Sequence, residues 1–284
     1  MDAIEAVDSG SMIIVKQGTY NENLNCHTNK HLHIHADDSE GSVIIGSRLL
    51  SFDGTVMMSG FVLQSQCTID EGMIVFVKCQ TGEIKMKARN ALHAYFQDCE
   101  LGAIEFNGSA YSRGGLQNSL ALERCEISRH GIGIAVSGKF ASVRMHKCRV
   151  HSCQTAISFK DQSKGWVADC EIARSETGVE ILSDSSVTFQ SCKIADNAGD
   201  AVVLMGYGLA RFESCQIINN GAIAFDIGPG NVEIDRCSVN NNGRVAAFVD
   251  AHSVGSLSEC DLRHNKAPIA ITPGAQVQQS NNLL

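Results

Sequence analysis

Three kinds of residue in this chain have types and spacings that could do chemistry. The first is cysteine. Cys99, Cys125, Cys148, Cys170, Cys192, Cys215, Cys237 and Cys260 follow one another at intervals of 26, 23, 22, 22, 23, 22 and 23 residues. Thiols can ligate metal, form disulfides or simply pack, depending on how the chain brings them together. The second is histidine. His31, His33 and His35 alternate with Leu32 and Ile34, and side chains two apart on a strand share a face. The pair His33 and His35 could therefore chelate zinc, with a third ligand from His27, Asp37 or Asp38. The third is a pair of carboxylates, Glu180 and Asp226, which could serve as acid and base on a glycosidic bond. Beside these stands the single Trp, Trp166, with Arg144 and Arg211 at matching places in nearby repeats. Trp and Arg are the residue types most enriched at recognition hot spots.

The elements that must position these groups are internal repeats. Cys makes up only 12 of 284 residues, so eight in near-register mark a period and not chance. Other positions keep step. Two residues after each Cys stands Leu101, Ile127, Val150, Ile172, Ile194, Ile217, Val239 or Leu262. Three before stands Phe96, Leu122, Met145, Val167, Phe189, Phe212, Ile234 or Leu257. Five after stands His130, Cys153, Ser175, Asn197, Asn220, Asn242 or Asn265. Each repeat holds three short period-2 stretches divided by turn residues, which predict strands. One repeat cannot bury its apolar face alone, but stacked repeats place like residues about 4.8 Å above and below each other. The predicted fold is all-β: a single-stranded, right-handed parallel β-helix of about eleven coils of 22–23 residues. The handedness follows from the crossover rule. Asn197, Asn220, Asn242 and Asn265 predict an internal ladder at one corner.

One domain is expected over residues 1–284. Residues 1–10 form an N-terminal cap, with a short helix in DAIEAVD whose Ala3, Ile4 and Val7 cover the open end. Residues 11–98 form less regular coils, 99–272 the regular cysteine-ladder coils and 273–284 a C-terminal tail. MIIVKQGTY, HLHIHA and SVIIG are expected to supply the three strands of the first coil. TVMMSGFVL, MIVFVKC and EIKMKA continue it.

Composition narrows the function. The formal net charge is -8, with no Lys/Arg run, which argues against a nucleic-acid footprint. No apolar stretch approaches 18 residues, so no membrane insertion is expected. The N-terminus lacks a signal-peptide pattern. The cysteines are therefore expected to be reduced and the protein intracellular, cytoplasmic or cytoskeleton-associated. No cofactor is expected.

The opening EAVDSGSMIIVKQGTYNENL, and the later unit V-x-F-x-x-C-x-I-x-x-N-x-x-G-I-x-I in idealised form, resemble pectin-lyase-like domains, also called carbohydrate-binding and sugar-hydrolase repeat domains. In style the chain is similar to two groups of intracellular eukaryotic β-helix modules, those of F-box proteins and those of SHC-binding and spindle-associated proteins. The resemblance implies the fold; the fold itself hosts lyases, hydrolases, epimerases and non-enzymes. Polygalacturonase-type members carry N-x-D, D-D, G-H-G and R-x-K signatures. Here Asp37–Asp38 is the only DD pair, His130–Gly131 lacks the first Gly, and R-x-K is absent.

No catalytic residue is assigned. Glu180 and Asp226 are the best-placed carboxylates, expected outward on the third strand face, two coils and roughly 10 Å apart. The intervening coil is expected to present Val202, and other coils Ala135, Ser158 and Ala270. A flat exposed strand offers no cleft to raise a carboxyl pKa. No metal site is assigned, His33 and His35 being the best-placed pair. The cysteine ladder is expected to be packing, since buried thiols are inert. Trp166, Arg144 and Arg211, edged by His146 and Arg124, form the expected recognition face. Tyr111 and Arg113 in the Gly/Ser-rich insertion NGSAYSRGGLQNS add loop contacts. A further outward row, Glu100, Glu126, Arg149, Glu171, Lys193, Gln216, Ser238 and Asp261, is expected to solubilise. The leading functional expectation is a non-catalytic recognition or scaffold module that binds a protein partner within a larger protein. The alternative is a glycan-binding or glycan-cleaving module, of polysaccharide hydrolase or lyase type if an enzyme.

Overall fold

The computed structural model describes residues 3–21, 24–26, 30–37, 43–46, 50–52, 54–88, 91–108, 117–128 and 131–284. Among them the chain winds as a right-handed solenoid of about 11 turns. Each turn contributes one strand to each of three parallel sheets. Sheet A has 13 strands, from Met12–Val15 to Gln276–Ser280. Sheet B has 11, from Gly18–Tyr20 to Ser238–Asn240, and sheet C has 12, from Leu24–Cys26 to Ala267–Ile271. Every strand pair is parallel and joins consecutive turns, as in Arg144↔Trp166 on sheet A and Glu126↔Arg149 on sheet B.

The interior follows from the alternation. In His31–Ala36 the three His are exposed while Leu32, Ile34 and Ala36 are buried. The positions three before and two after each ladder Cys are all buried. Aromatic neighbours stack along the axis: Phe189 and Phe212 lie 4.9 Å apart with rings 3° from parallel. Phe76 and Phe96 meet edge to face at 5.3 Å. Both geometries are favourable for aromatic pairs.

From Lys147 onward two corners of each turn share one device. At the corner between sheets A and B, the residue before the ladder Cys has a positive φ, as at Lys147 (54°), Asp169 (52°), Ser191 (52°) and Arg236 (50°). The following Cys then receives a backbone N–H from the turn before. Cys148 N–H donates to Cys170 Sγ at 3.3 Å, and Cys215 N–H to Cys237 Sγ at 3.4 Å. Each thiol in turn donates to a corner carbonyl, Cys170 to Ala168 O at 3.1 Å. The ladder begins earlier than the even spacing indicates: Cys79 N–H donates to Cys99 Sγ at 3.4 Å across an interval of only 20 residues. It also changes chemistry at its end, where Asn282 Oδ1 accepts Cys260 N–H at 2.9 Å.

The corner between sheets B and C repeats the device with amides. Ser152, Arg174, Asp196, Asn219, Asn241 and His264 have φ between 52° and 63°. After them come Cys153, Ser175, Asn197, Asn220, Asn242 and Asn265. Cys153 N–H donates to Ser175 Oγ at 3.2 Å, and Ser175 N–H to Asn197 Oδ1 at 3.0 Å. The line then runs through Asn220, Asn242 and Asn265 at 3.2, 3.1 and 2.9 Å. The expected Asn ladder is present and extends two turns further as Ser175 and Cys153. None of the eleven described cysteine side chains forms a disulfide.

Four expectations are corrected. MIIVKQGTY carries strands of both sheets A and B, and HLHIHA opens the next turn by pairing with Met12–Val15. Alternation reveals a strand but not its sheet. Ala3 is exposed; in the short helix Ala3–Ala6 only Ile4 is buried, and Val7 packs against the core. The segment 273–284 is not a tail, because Gln276–Ser280 pairs with Val254–Ser258 and Leu283 bridges Asp261. Ladder pairing needs backbone groups, which a Gln-rich segment supplies as well as an apolar one. The residue between Glu180 and Asp226 is Val203, while Val202 is buried.

Two stability changes follow. Asn220 is buried and its amide bonds Asn242 Oδ1, Ile194 O and Ile218 O while its oxygen accepts from Asn197. Asn220→Ala leaves several of these unpaired and should cost about 3 kcal/mol in urea unfolding. Ser191 is exposed at φ 52°, a conformation that costs a non-glycine residue about 1 kcal/mol. Ser191→Gly should raise the urea midpoint, and Ser191→Val should lower it.

Candidate functional site

The outer face of sheet A carries three parallel rows of side chains. The central row reads Tyr95, Ala121, Arg144, Trp166, Thr188, Arg211 and Glu233 in register. A strand face holds each of these side chains perpendicular to the sheet, with neighbours one spacing away. Arg144 Cζ lies 5.6 Å from the centroid of the Trp166 ring, a cation–π distance. Trp166 remains 36% exposed. Among the described residues, no carboxylate pairs with Arg144. Arg211 differs: it lies two spacings from Trp166 and its guanidinium is taken by Glu233, with Nε–Oε2 2.7 Å and Nη2–Oε2 2.6 Å. The expected face is therefore assembled around Arg144 and Trp166, and Arg211 is already committed.

A polar network borders them. Tyr95 Oη donates to Glu123 Oε2 at 2.8 Å. Desolvation, then the Glu123 carboxylate, pushes the phenol up to about 12, so it stays protonated. Arg124 pairs with Asp98 at 2.6 Å and also with Glu123. The Arg124 guanidinium holds the Asp98 carboxyl below its ordinary value. His146 Nε2 lies 3.2 Å from Asp169 Oδ2. His146 and Arg124 edge the face as the sequence suggested. Tyr95, Glu123 and Asp98 escaped it, because they stand one or two irregular turns away and only register brings them together.

Sheet C places Glu180, Val203 and Asp226 in one outward row. Glu180 accepts a hydrogen bond from Thr155 Oγ1 at 3.3 Å. Asp226 is half-buried; burial, and then the charges of Asp200 and Asp250, raise its carboxyl above the ordinary value. Two strand spacings of about 4.8 Å separate the pair, near the upper limit for an inverting glycosidase. A hollow of about 430 Å³ on the same sheet is lined by Glu83, Glu105, Ser137 and Lys160 and includes neither.

His33 and His35 point outward on one strand, with His33 beside Met12 and Met57. His35 Nδ1 is 2.5 Å from Ser59 Oγ. Among the described residues, no three His, Cys, Asp or Glu side chains come together to hold a metal. Tyr111, Arg113, His27, Asp38 and His130 lie outside the described residues. The row expected to solubilise is intact on sheet B, where Glu171 pairs with both Arg149 (3.1 Å) and Lys193 (3.3 Å).

Three parallel sheets wound from one repeating turn define a β-solenoid. The chain belongs to the family described as the right handed beta helix region, which matches residues 75–226 and 117–284. Among curated proteins none matches it in sequence. Solved structures are similar in fold. The periplasmic alginate epimerase AlgG superposes with a TM-score of 0.59 at 10% identity, covering 96% of this chain and 84% of that one. The mannuronan C-5 epimerase AlgE4 A-module of Azotobacter vinelandii gives 0.59 at 10%, covering 97% and 89%. A pectate lyase, Pel9A, gives 0.44 at 13%, covering 99% and 72%. At such identities the likeness is one of fold.

Asp226 allows a test of the sheet C row. Its raised pKa means the folded state holds the proton more tightly than the unfolded one. Stability is thus lost as pH rises from the unfolded value through the folded one. Asp226→Asn should raise the melting temperature at neutral pH. The gain should vanish near pH 3, below the ordinary Asp value of about 3.9.

Proposed function

We propose that this chain is a glycan-binding β-helix that holds an acidic polysaccharide along sheet A, with Arg144 and Trp166 as its anchor. One observation carries the reading: a cation without a carboxylate partner among the described residues, over an exposed Trp, at the middle of a 13-stranded face. The Trp ring offers an apolar surface to a sugar, and the guanidinium offers charge-assisted bonds to a carboxylate. A polymer lying along the axis would meet the same row once per turn. The fold is shared with two enzymes named for alginate and mannuronan, which supports a polymeric acidic sugar here.

Binding is favoured over turnover by the state of the neighbouring groups. Tyr95 holds its proton, and Arg124 is satisfied by Asp98 and Glu123. Glu180 and Asp226 lie on another sheet outside the hollow.

A second reading rests on a different observation. At the N-terminal end of sheet A, Met12, Ile14 and Met73 are exposed, with the outward His33, His35 and Met57 on the strands between them. Exposed methionines interleaved with histidines suit a protein partner, which is the adaptor or substrate-recruiting role.

The test is titration of the purified chain with alginate, polygalacturonate and a neutral glucan, while following new chain ends and C5 configuration by NMR. The acidic polymers should bind and the neutral one should not. Arg144→Glu and Trp166→Ala should each weaken binding about tenfold, or about 1.4 kcal/mol. Equal binding by the double variant would reject this face. Turnover of the polymer would replace a binding module with an enzyme. No binding to any glycan would leave the methionine and histidine surface and its protein partner.

A further inference from the structure

We propose a second site, on sheet B, in which Ser152, His151 and Glu126 act as nucleophile, base and orienting carboxylate toward a small O-acyl ester. The three residues come from adjacent turns. Glu126–Ser128 and Arg149–His151 pair with Ser128 opposite His151, which sets Glu126 on the diagonal from the imidazole. His151 Nε2 lies 2.7 Å from Glu126 Oε1, and His151 Nδ1 lies 3.0 Å from Ser152 Oγ.

The polarity of this line follows from the inventory of donors. An ionised carboxylate only accepts, so Nε2 must carry the hydrogen. In the neutral ring Nδ1 is then the lone-pair nitrogen, and it accepts the hydrogen of the Ser152 hydroxyl. That is the arrangement an activated serine needs: a base in contact, itself oriented by a third group. Because Ser152 directly follows His151, it is Nδ1 that meets the hydroxyl, and the carboxylate takes the far nitrogen.

Burial separates the roles. The His151 side chain is 13% exposed, which fixes the ring. Ser152 is exposed. It sits at the B–C corner with φ 59°, so its hydroxyl leaves the pleat at the turn. Its N–H donates to Arg174 O at 3.1 Å, which makes Arg174 its neighbour in the next turn. Among the described residues no carboxylate pairs with the Arg174 guanidinium, so it can face the developing oxyanion.

The reaction balances with water as co-reactant. Ser152 Oγ attacks the ester carbonyl carbon and its proton passes to His151 Nδ1. The tetrahedral intermediate collapses to acyl-serine, and the leaving alkoxide takes that proton. Water then gives a proton to Nδ1 and attacks the acyl-serine carbonyl; the second tetrahedral intermediate collapses by breaking the bond to Ser152 Oγ, which takes the proton back from Nδ1 as the carboxylic acid leaves. The surface around Ser152 is open, so the ester is either small or carried on a chain lying across the sheet.

The test treats the full chain with p-nitrophenyl acetate. It follows nitrophenolate release and locates acetyl groups by peptide mass. The expected result is a burst with acetylation of Ser152. Ser152→Ala should abolish the burst and the adduct. His151→Gln should slow acylation about a hundredfold or more. Glu126→Gln, which keeps the ring but changes its hydrogen-bond partner, should slow it less. Circular dichroism and melting temperature should match the unaltered chain, because none of the three side chains is in the core. An unaltered chain that gains no acetyl group on Ser152, or His151→Gln and Glu126→Gln variants that acylate it at the original rate, would overturn the proposal.

Discussion

From Lys147 onward each turn of this solenoid bends twice through a residue at positive φ, and these bends leave backbone N–H groups that a side chain one turn further on accepts. The whole molecule depends on that requirement. A buried amide without a partner costs about 1–3 kcal/mol, and here the problem recurs at two corners of nearly every regular turn. Cys answers it between sheets A and B, and Asn, Ser and Cys answer it between sheets B and C. Sulfur and amide oxygen are interchangeable in this role: Asn282 takes over the cysteine post, and Cys153 occupies the asparagine corner. The ladders are thus hydrogen-bonded scaffolding, which explains thiols repeated without a disulfide or a metal cluster among the described residues.

Because the corners fix register, the outward rows are fixed too. A strand that slipped by one residue would turn its whole apolar set to solvent. The outer faces are free of that constraint and differ sharply. Sheet A combines an aromatic–cation pair with a satisfied acid–base network. Sheet B carries a row of mixed charges, Glu126, Arg149, Glu171 and Lys193 among them, with His151 in the row beside it. Sheet C gathers Asp200, Asp226 and Asp250 closely enough for the first and last to raise the second. The three faces are thus chemically distinct while the core behind them is one continuous apolar cluster.

The overall charge gives little guidance to any of these surfaces. The formal net charge is -8, yet Arg144 and Arg174 face solvent without a carboxylate partner among the described residues. Local register, and not composition, decides where a cation is left available. The same reasoning explains why family membership reveals the fold without the activity. The repeat encodes inward and corner positions and leaves the outward positions unconstrained.

The sequence by itself determined the solenoid. Eight cysteines in near-register, apolar residues two after and three before them, and the Asn series define the repeat length, the strands and the corner ladders. These are local patterns repeated at short range, so they survive reading along one dimension. Tertiary structure decided what depends on the exact length of each turn. The turn from Cys192 to Cys215 has 23 residues, one more than the turn before it. Its additional residue falls ahead of the sheet C strand and puts Val203, not Val202, between Glu180 and Asp226. Irregular spacing hid Cys79 at the start of the ladder and Tyr95 beside Glu123. The diagonal from Glu126 to His151 was equally hidden, although both residues were visible. Such contacts join residues some 25 positions apart, and a single insertion in a turn changes which side chains meet.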